Sequence, residues 1–338
     1  MAGIGGLGAG GVYAPTRWTL AFRFLAWSSV ATLFAFLLNV YLSFWQDWPG
    51  AATAFGDAAT GLSWAQVLIY IAGVAASAAF VARTPERSLR QDDSAMTAIA
   101  TYIVKAAFWI VMLVGLADAI VSFLRVEGLL PVLFSDQLAI DLGRNQFRAP
   151  YVHGPLIAAA LVLAATTRTL GFTWLALLVV VAELQIVISR FVFSYEQAFM
   201  GDLVRMWYAG LFLFASAYTL IEEGHVRVDV LYSGFDDRTR GLVNAVGSVV
   251  LGLPFCWTII VLGMSKSTSI ITNPLLTLEV TQSGFGMYIK YLMAGFLAVF
   301  AVSMAIQFTA YFLEGVADYR GDSGKRKLDS EVAAAPGD

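Results

Sequence analysis

The sequence predicts an all-α integral membrane protein, a polytopic helical bundle of about eight transmembrane helices with both termini cytoplasmic. Three observations carry this expectation. Of 338 residues, 59% are hydrophobic and only 13% are charged, with a mean hydropathy of +0.72, whereas soluble domains carry roughly 25% charged residues. The apolar residues fall in continuous runs close to the ~20 residues that a helix needs to cross a bilayer core. The runs do not alternate apolar with polar, as barrel strands would, and only helices and closed barrels satisfy every backbone group in lipid.

Residues 1–18 are Gly-rich and lack the basic start of a secretory signal. The run behind Arg17 is too long for a cleavable signal core. It therefore reads as a retained first span, 19–44, behind a flexible tail. Further spans are expected at 64–82, 98–123, 154–167, 172–188, 200–221, 242–264 and 287–313. The fourth is the shortest, and it reads either as a span or as one arm of a helical hairpin that stops short of crossing. With all eight crossing and the N-terminus inside, 13 of the 21 Lys and Arg residues fall on the cytoplasmic side and seven on the other, with Lys105 inside a span. This excess obeys the positive-inside rule. Residues 124–153 form the longest outer connection, either an interfacial helix or an ordinary packed loop. Residues 320–338 read as a disordered cytoplasmic tail. No internal repeat is present, nor an inverted pair of Gly/Pro-broken spans of the kind that marks a transporter core.

The chemistry on offer is sparse. A net charge of -3 argues against nucleic acid as a partner, and Cys256 has no second cysteine to pair with. The two histidines, His153 and His225, both fall in expected loops on opposite faces, which excludes paired haem ligation in the membrane. No zinc ligand set, phosphate-binding Gly-Lys-Ser/Thr loop or acid–base cluster is present, so no catalytic residue, metal or cofactor is expected and the chain is not read as an enzyme.

Ionisable residues within spans are the default functional candidates. Lys105 and Asp118 share the third span but lie roughly 20 Å apart along it, too far to pair, and each is placed to snorkel toward an interface. Glu183 and Gln185 sit in the second half of the fifth span, with Arg190 two turns beyond Glu183 on nearly the same face. These residues read mainly as interhelical contacts or anchors, with a substrate or ion path as the sharper alternative. In the seventh span Gly247 and Gly252 suit close helix packing and Pro254 is expected to bend the helix. Gly210, Ala215, Ser216 and Ala217 form a similar small-residue stripe in the sixth.

The connector after the sixth span stands apart. In Glu222-Glu223-Gly224-His225-Val226-Arg227-Val228-Asp229-Val230-Leu231-Tyr232 the polar His225, Arg227 and Asp229 alternate with valines. That pattern suits a piece lying on the membrane surface with Tyr232 as an anchor.

Tyr218-Thr219-Leu220, two acids and then Gly-His-Val-Arg-Val-Asp-Val-Leu-Tyr resembles the signature of the small membrane subunit (Q-type small permease) of tripartite ATP-independent periplasmic (TRAP) transporters. Ser189-Arg190-Phe191-Val192-Phe193 resembles the end of that family's first helix. Glu196 stands where members carry acids before the second helix, and Pro254-Phe255-Cys256 resembles a motif of the third. The resemblance covers 172–319, four spans. It marks Glu223, Gly224, His225, Arg227, Asp229, Tyr232, Arg190 and Glu196 as candidate interface or structural residues. Residues 154–319 are thus expected to form a small-subunit-like domain with a preceding short helix, and 19–153 an enlarged N-terminal membrane extension of about three helices.

The resemblance implies a non-catalytic subunit in a bacterial or archaeal cytoplasmic membrane. It would brace a large membrane subunit that takes up an organic acid by ion-gradient-driven symport, the acid being delivered by a periplasmic binding protein. Partners would be those two proteins and membrane lipids. Such a chain is expected to be rich in packing, poor in buried charge and free of broken helices. The competing class is a self-sufficient transporter or channel using Lys105, Asp118 and Glu183; a membrane enzyme is the third.

Overall fold

A computed structural model describes residues 16–167, 172–195, 198–221, 232–281 and 285–324. Eight long helices appear in it, one for each expected span, and no strand occurs among the described residues. They are α1 (Arg17–Trp45), α2 (Gly61–Arg83), α3 (Leu89–Val126), α4 (Asn145–Thr166), α5 (Phe172–Phe193), α6 (Ala198–Ile221), α7 (Asp237–Met264) and α8 (Lys290–Arg320). Seven of them, α1 to α5, α7 and α8, are long and apolar enough among the described residues to cross a membrane. The 24 residues of α6 include Asp202 and Arg205 in its early turns.

Local chemistry sets the helix starts. Thr16 caps α1 by accepting the Thr19 amide, and Thr60 with Ser63 forms a reciprocal capping box at α2. Asp236 accepts the Thr239 amide at 3.3 Å at the start of α7.

The expected fourth span grows from a short run into a helix of 22 residues, because Asn145–Arg148 and a π-helical turn, Ala149–His153, precede Gly154 without a break. At that length it is long enough to cross a membrane. Residues 124–144 hold two short helices, Leu130–Leu133 and Asp136–Leu142, packed in a small apolar cluster of Leu130, Ala139 and Leu142 under Val121, Leu124 and Phe147. A second π-helical turn, Ser248–Gly252, lies within α7 just before Pro254. Gly154 follows the first π turn and Gly252 ends the second, and a proline stands at the first or second position of the helix beyond (Pro155, Pro254). A proline ring clashes with the carbonyl four residues back, and the wider turn relieves that clash. Pro254 is thus accommodated by a π turn, and α4 and α7 both run on unbroken through their π turns.

The chain forms two compact units. One draws on 1–96, 229–249 and 309–326, the other on 97–228, 250–308 and 327–338.

In the first unit α1 lies along α2, with Trp27 edge-on to Phe80 at 5.1 Å and Phe22 edge-on to Phe312 at 5.9 Å. Gly241 and Gly315 mark a backbone-to-backbone crossing. A Cβ on Gly241 would lie 2.5 Å from the Tyr319 nitrogen, and one on Gly315 would lie 2.7 Å from the Gly241 oxygen.

In the second unit the core holds Phe214, Met206, Leu175, Ile260, Met287 and Ile306. Gly210 lies against Val111 and Gly252 against the Phe308 ring, as close packing requires, whereas Gly247 has nothing within 4 Å and is no packing glycine.

Candidate functional site

Both units bury ionisable side chains in closed polar networks, which corrects the expectation of little buried charge. In the first, Arg23 is fully buried. Its Nε donates to Asp92 at 2.6 Å and its terminal nitrogens donate to the Thr84 carbonyl and hydroxyl at 2.7 and 2.9 Å. Arg87 donates to the other Asp92 oxygen at 2.8 Å. Arg90 pairs with Asp318 at 2.8 Å, and Arg320 donates to the Thr19 hydroxyl at 2.7 Å. Hydropathy alone would have left these residues to the membrane edge.

The second network is larger and centres on Asp118. This residue does not snorkel; it is completely buried with Arg148 and His153. Arg148 donates to Asp118 Oδ1 at 2.9 Å and to the Ser122 hydroxyl at 3.1 Å. His153 Nε2 lies 3.1 Å from the same Asp118 oxygen, and its Nδ1 lies 2.7 Å from the Tyr291 hydroxyl. Asp118 Oδ2 accepts the Tyr288 amide at 2.8 Å, while Asp202 Oδ2 accepts the Met287 amide at 3.0 Å. Two carboxylates thus receive backbone N–H groups on the approach to α8, where negative charge is favoured. The guanidinium groups of Arg125 and Arg148 lie over the Tyr288 ring, 4.5 and 4.3 Å from its centroid.

His153 is not in a loop. It ends the π-helical turn of α4, whose defining bond runs from the Gly154 N–H to the Ala149 carbonyl. In an α-helix Arg148 and His153, five residues apart, would point about 140° away from each other. An i→i+5 turn brings residues five apart nearly over one another. The π turn therefore lets one helix present both a guanidinium and an imidazole to a single carboxylate on α3.

Asp118 was readable as an ionisable residue within a span, but not as a buried one. Its partners Arg148, His153, Tyr288 and Tyr291 were not, because nothing in a single sequence ties position 118 to positions 30 to 173 residues away. The only signal was the intramembrane acid itself.

The remaining candidates are dispersed. Lys105 is half-buried and its Nζ donates to the Thr167 carbonyl at the end of α4, at 2.9 Å. Cations suit that end of a helix. Trp109 donates to the Thr167 hydroxyl at 3.2 Å. Glu183, Gln185 and Arg190 are exposed along α5. Lys105, Asp118 and Glu183 have separate surroundings and share no hydrogen bond. Tyr232 is half-buried; its hydroxyl donates to Asn244 at 3.1 Å and its carbonyl accepts from Arg240 at 3.3 Å. Glu196, Glu223, Gly224, His225, Arg227 and Asp229 lie outside the described residues.

Long apolar helices clasped by buried ion pairs define a multi-pass α-helical membrane protein. Residues 176–318, somewhat under half of the chain, match the family of tripartite ATP-independent periplasmic transporters, DctQ component, and that stretch is similar to these membrane components of TRAP transporters. The match takes in most of α5 and all of α6 and α7, and it ends within α8. It includes Arg190, Asp202, Tyr232, Tyr288 and Tyr291, while Lys105, Asp118, Arg148 and His153 lie before it. No curated protein and no solved structure matches the chain.

Proposed function

We propose that this chain is a non-catalytic subunit that holds the large membrane subunit of a TRAP transporter in place while that partner carries substrate. The family match over 176–318 carries the reading. The membrane is a bacterial or archaeal cytoplasmic membrane, the substrate an organic acid handed over by a periplasmic binding protein, and the driving force an ion gradient. The geometry supports a bracing role, because the buried charges are consumed in helix-to-helix pairs that leave Asp118, Arg148 and His153 turned toward one another. The region 154–319 acts as the small-subunit domain, and 19–153 is an extension built onto it. Arg227 and Asp229, with the flanking connector, serve as a subunit contact.

Affinity purification of the tagged chain from its native membrane, followed by mass spectrometry, tests the reading. Co-recovery of a large polytopic protein is expected. A monodisperse chain recovered alone, and transporting by itself in vesicles, would replace it with the self-sufficient transporter. The variants Arg227→Ala and Asp229→Ala are expected to lower recovery of the large partner or uptake by the complex. Normal values for both would reduce the connector to a surface anchor.

A further inference from the structure

We propose that the side of α5 built around Glu183 is the seam on which the large membrane subunit docks, and that the docking helix brings a hydrogen-bond donor to the Glu183 carboxyl midway through the bilayer. The proposal rests on the small-subunit reading and adds to it the face and the chemistry of the contact. Among the seven spans α5 is the least covered by its own chain, with 11% of its apolar window buried. Glu183 stands at the middle of this 22-residue helix, roughly 16 Å from either end. It is exposed and takes no hydrogen bond or ion pair among the described residues. Hydrocarbon offers no donor, so an acid left there is costly unless a neighbouring protein supplies one.

The surrounding pattern is that of a helix seam. Val180, Glu183, Val187 and Arg190 are all exposed and follow one another at steps of three, four and three residues, the spacing that knobs-into-holes packing uses. Their flank carries Leu184, which is 56% exposed. The next least covered span, α2, makes a useful contrast. It exposes Leu68 and Ile71 and holds no acidic or basic residue before Arg83, a face that suits lipid.

Charge selects the occupant. A second copy of this chain packed symmetrically on the seam would set Glu183 against Glu183, so self-association is disfavoured. A partner helix with a donor opposite Glu183 and an acceptor roughly 10 Å along, opposite Arg190, satisfies both groups.

The test places a photo-activatable residue at Val180, Leu184 or, as a control, Ile71 in the full chain, expressed with its complex in native membranes. Adducts with a large polytopic protein are expected from Val180 and Leu184 and none from Ile71. Glu183→Gln is expected to keep partner recovery and Glu183→Leu to lower it roughly three- to tenfold; leucine on a lipid-exposed surface leaves the chain's own fold intact. If the large protein is recovered but α5 gives no adduct with it, or if Glu183→Leu recovers it fully, the seam is wrong and the small-subunit reading stands. If no large protein accompanies the unmodified chain, both fall.

Discussion

At the scale of single residues, the Asp118–Arg148–His153 cluster behaves as one unit. Removing one partner from a buried ion pair strands the other charge without water, at a cost of about 3–5 kcal/mol, whereas replacing both with apolar side chains of similar volume is often far cheaper. Asp118→Leu alone is therefore expected to lower the thermal midpoint of the detergent-solubilised chain sharply. The double variant Asp118→Leu/Arg148→Met should recover a large part of that loss, measured by heating followed by size exclusion. Additive losses would mean that the two side chains are not coupled. Asp236 shows a gentler dependence. Its carboxylate accepts the Thr239 amide at the start of α7, and hydrogen bonding to Thr239 holds its pKa below the usual carboxylate range. Its contribution is present above the unfolded-state pKa and is lost as pH falls through the lowered folded value. Asp236→Asn keeps a capping oxygen and removes that part of the acid sensitivity, which melting curves between neutral and strongly acidic pH would reveal.

At the scale of helices, glycines separate into those that carry a crossing and those that do not. Gly241→Ala puts its new methyl 2.5 Å from a backbone nitrogen, and Gly315→Ala puts one 2.8 Å from the Ala245 nitrogen. Neither neighbour is a flexible side chain, so each variant is expected to lose about 1–3 kcal/mol or more. Gly247→Ala meets nothing within 4 Å and should be neutral or gain about 0.5–1 kcal/mol from helix propensity. The same stability assay ranks the three. Hydropathy located every helix because lipid tolerates little else as a spanning element. It misplaced the ends because polar first turns are invisible to it. α3 begins at Leu89, not 98, since Asp92 is paired with Arg23, and α8 runs to Arg320, past 313, where Asp318 meets Arg90. Gly247 and Gly241 look alike in sequence, and only the neighbour that each one meets distinguishes them.

At the scale of the whole molecule, the extension is not an appendage that can be trimmed. Within the second unit Asp118, Arg125 and His153, all ahead of the family-matched stretch, hold Tyr288, Gly286 and Tyr291 inside it. A chain begun at residue 154 would leave the Tyr288 amide and the Tyr291 hydroxyl without these partners. It is expected to emerge aggregated or in low yield where the full chain is monodisperse, and a well-behaved truncated protein would contradict that. The family-like motif was legible because its residues are consecutive. The clasp was not, because it is assembled from four segments that only the fold brings together.

The π turn at Ala149–His153 also sets a rule for how this gene can change length. Deleting one of residues 149–152 would restore ordinary α-helical winding and leave Arg148 and His153 four residues apart, still on one face toward Asp118. Lineages descended from this chain should accordingly tolerate a single-codon deletion within the turn far better than a single-codon insertion, which would carry the two side chains onto different faces.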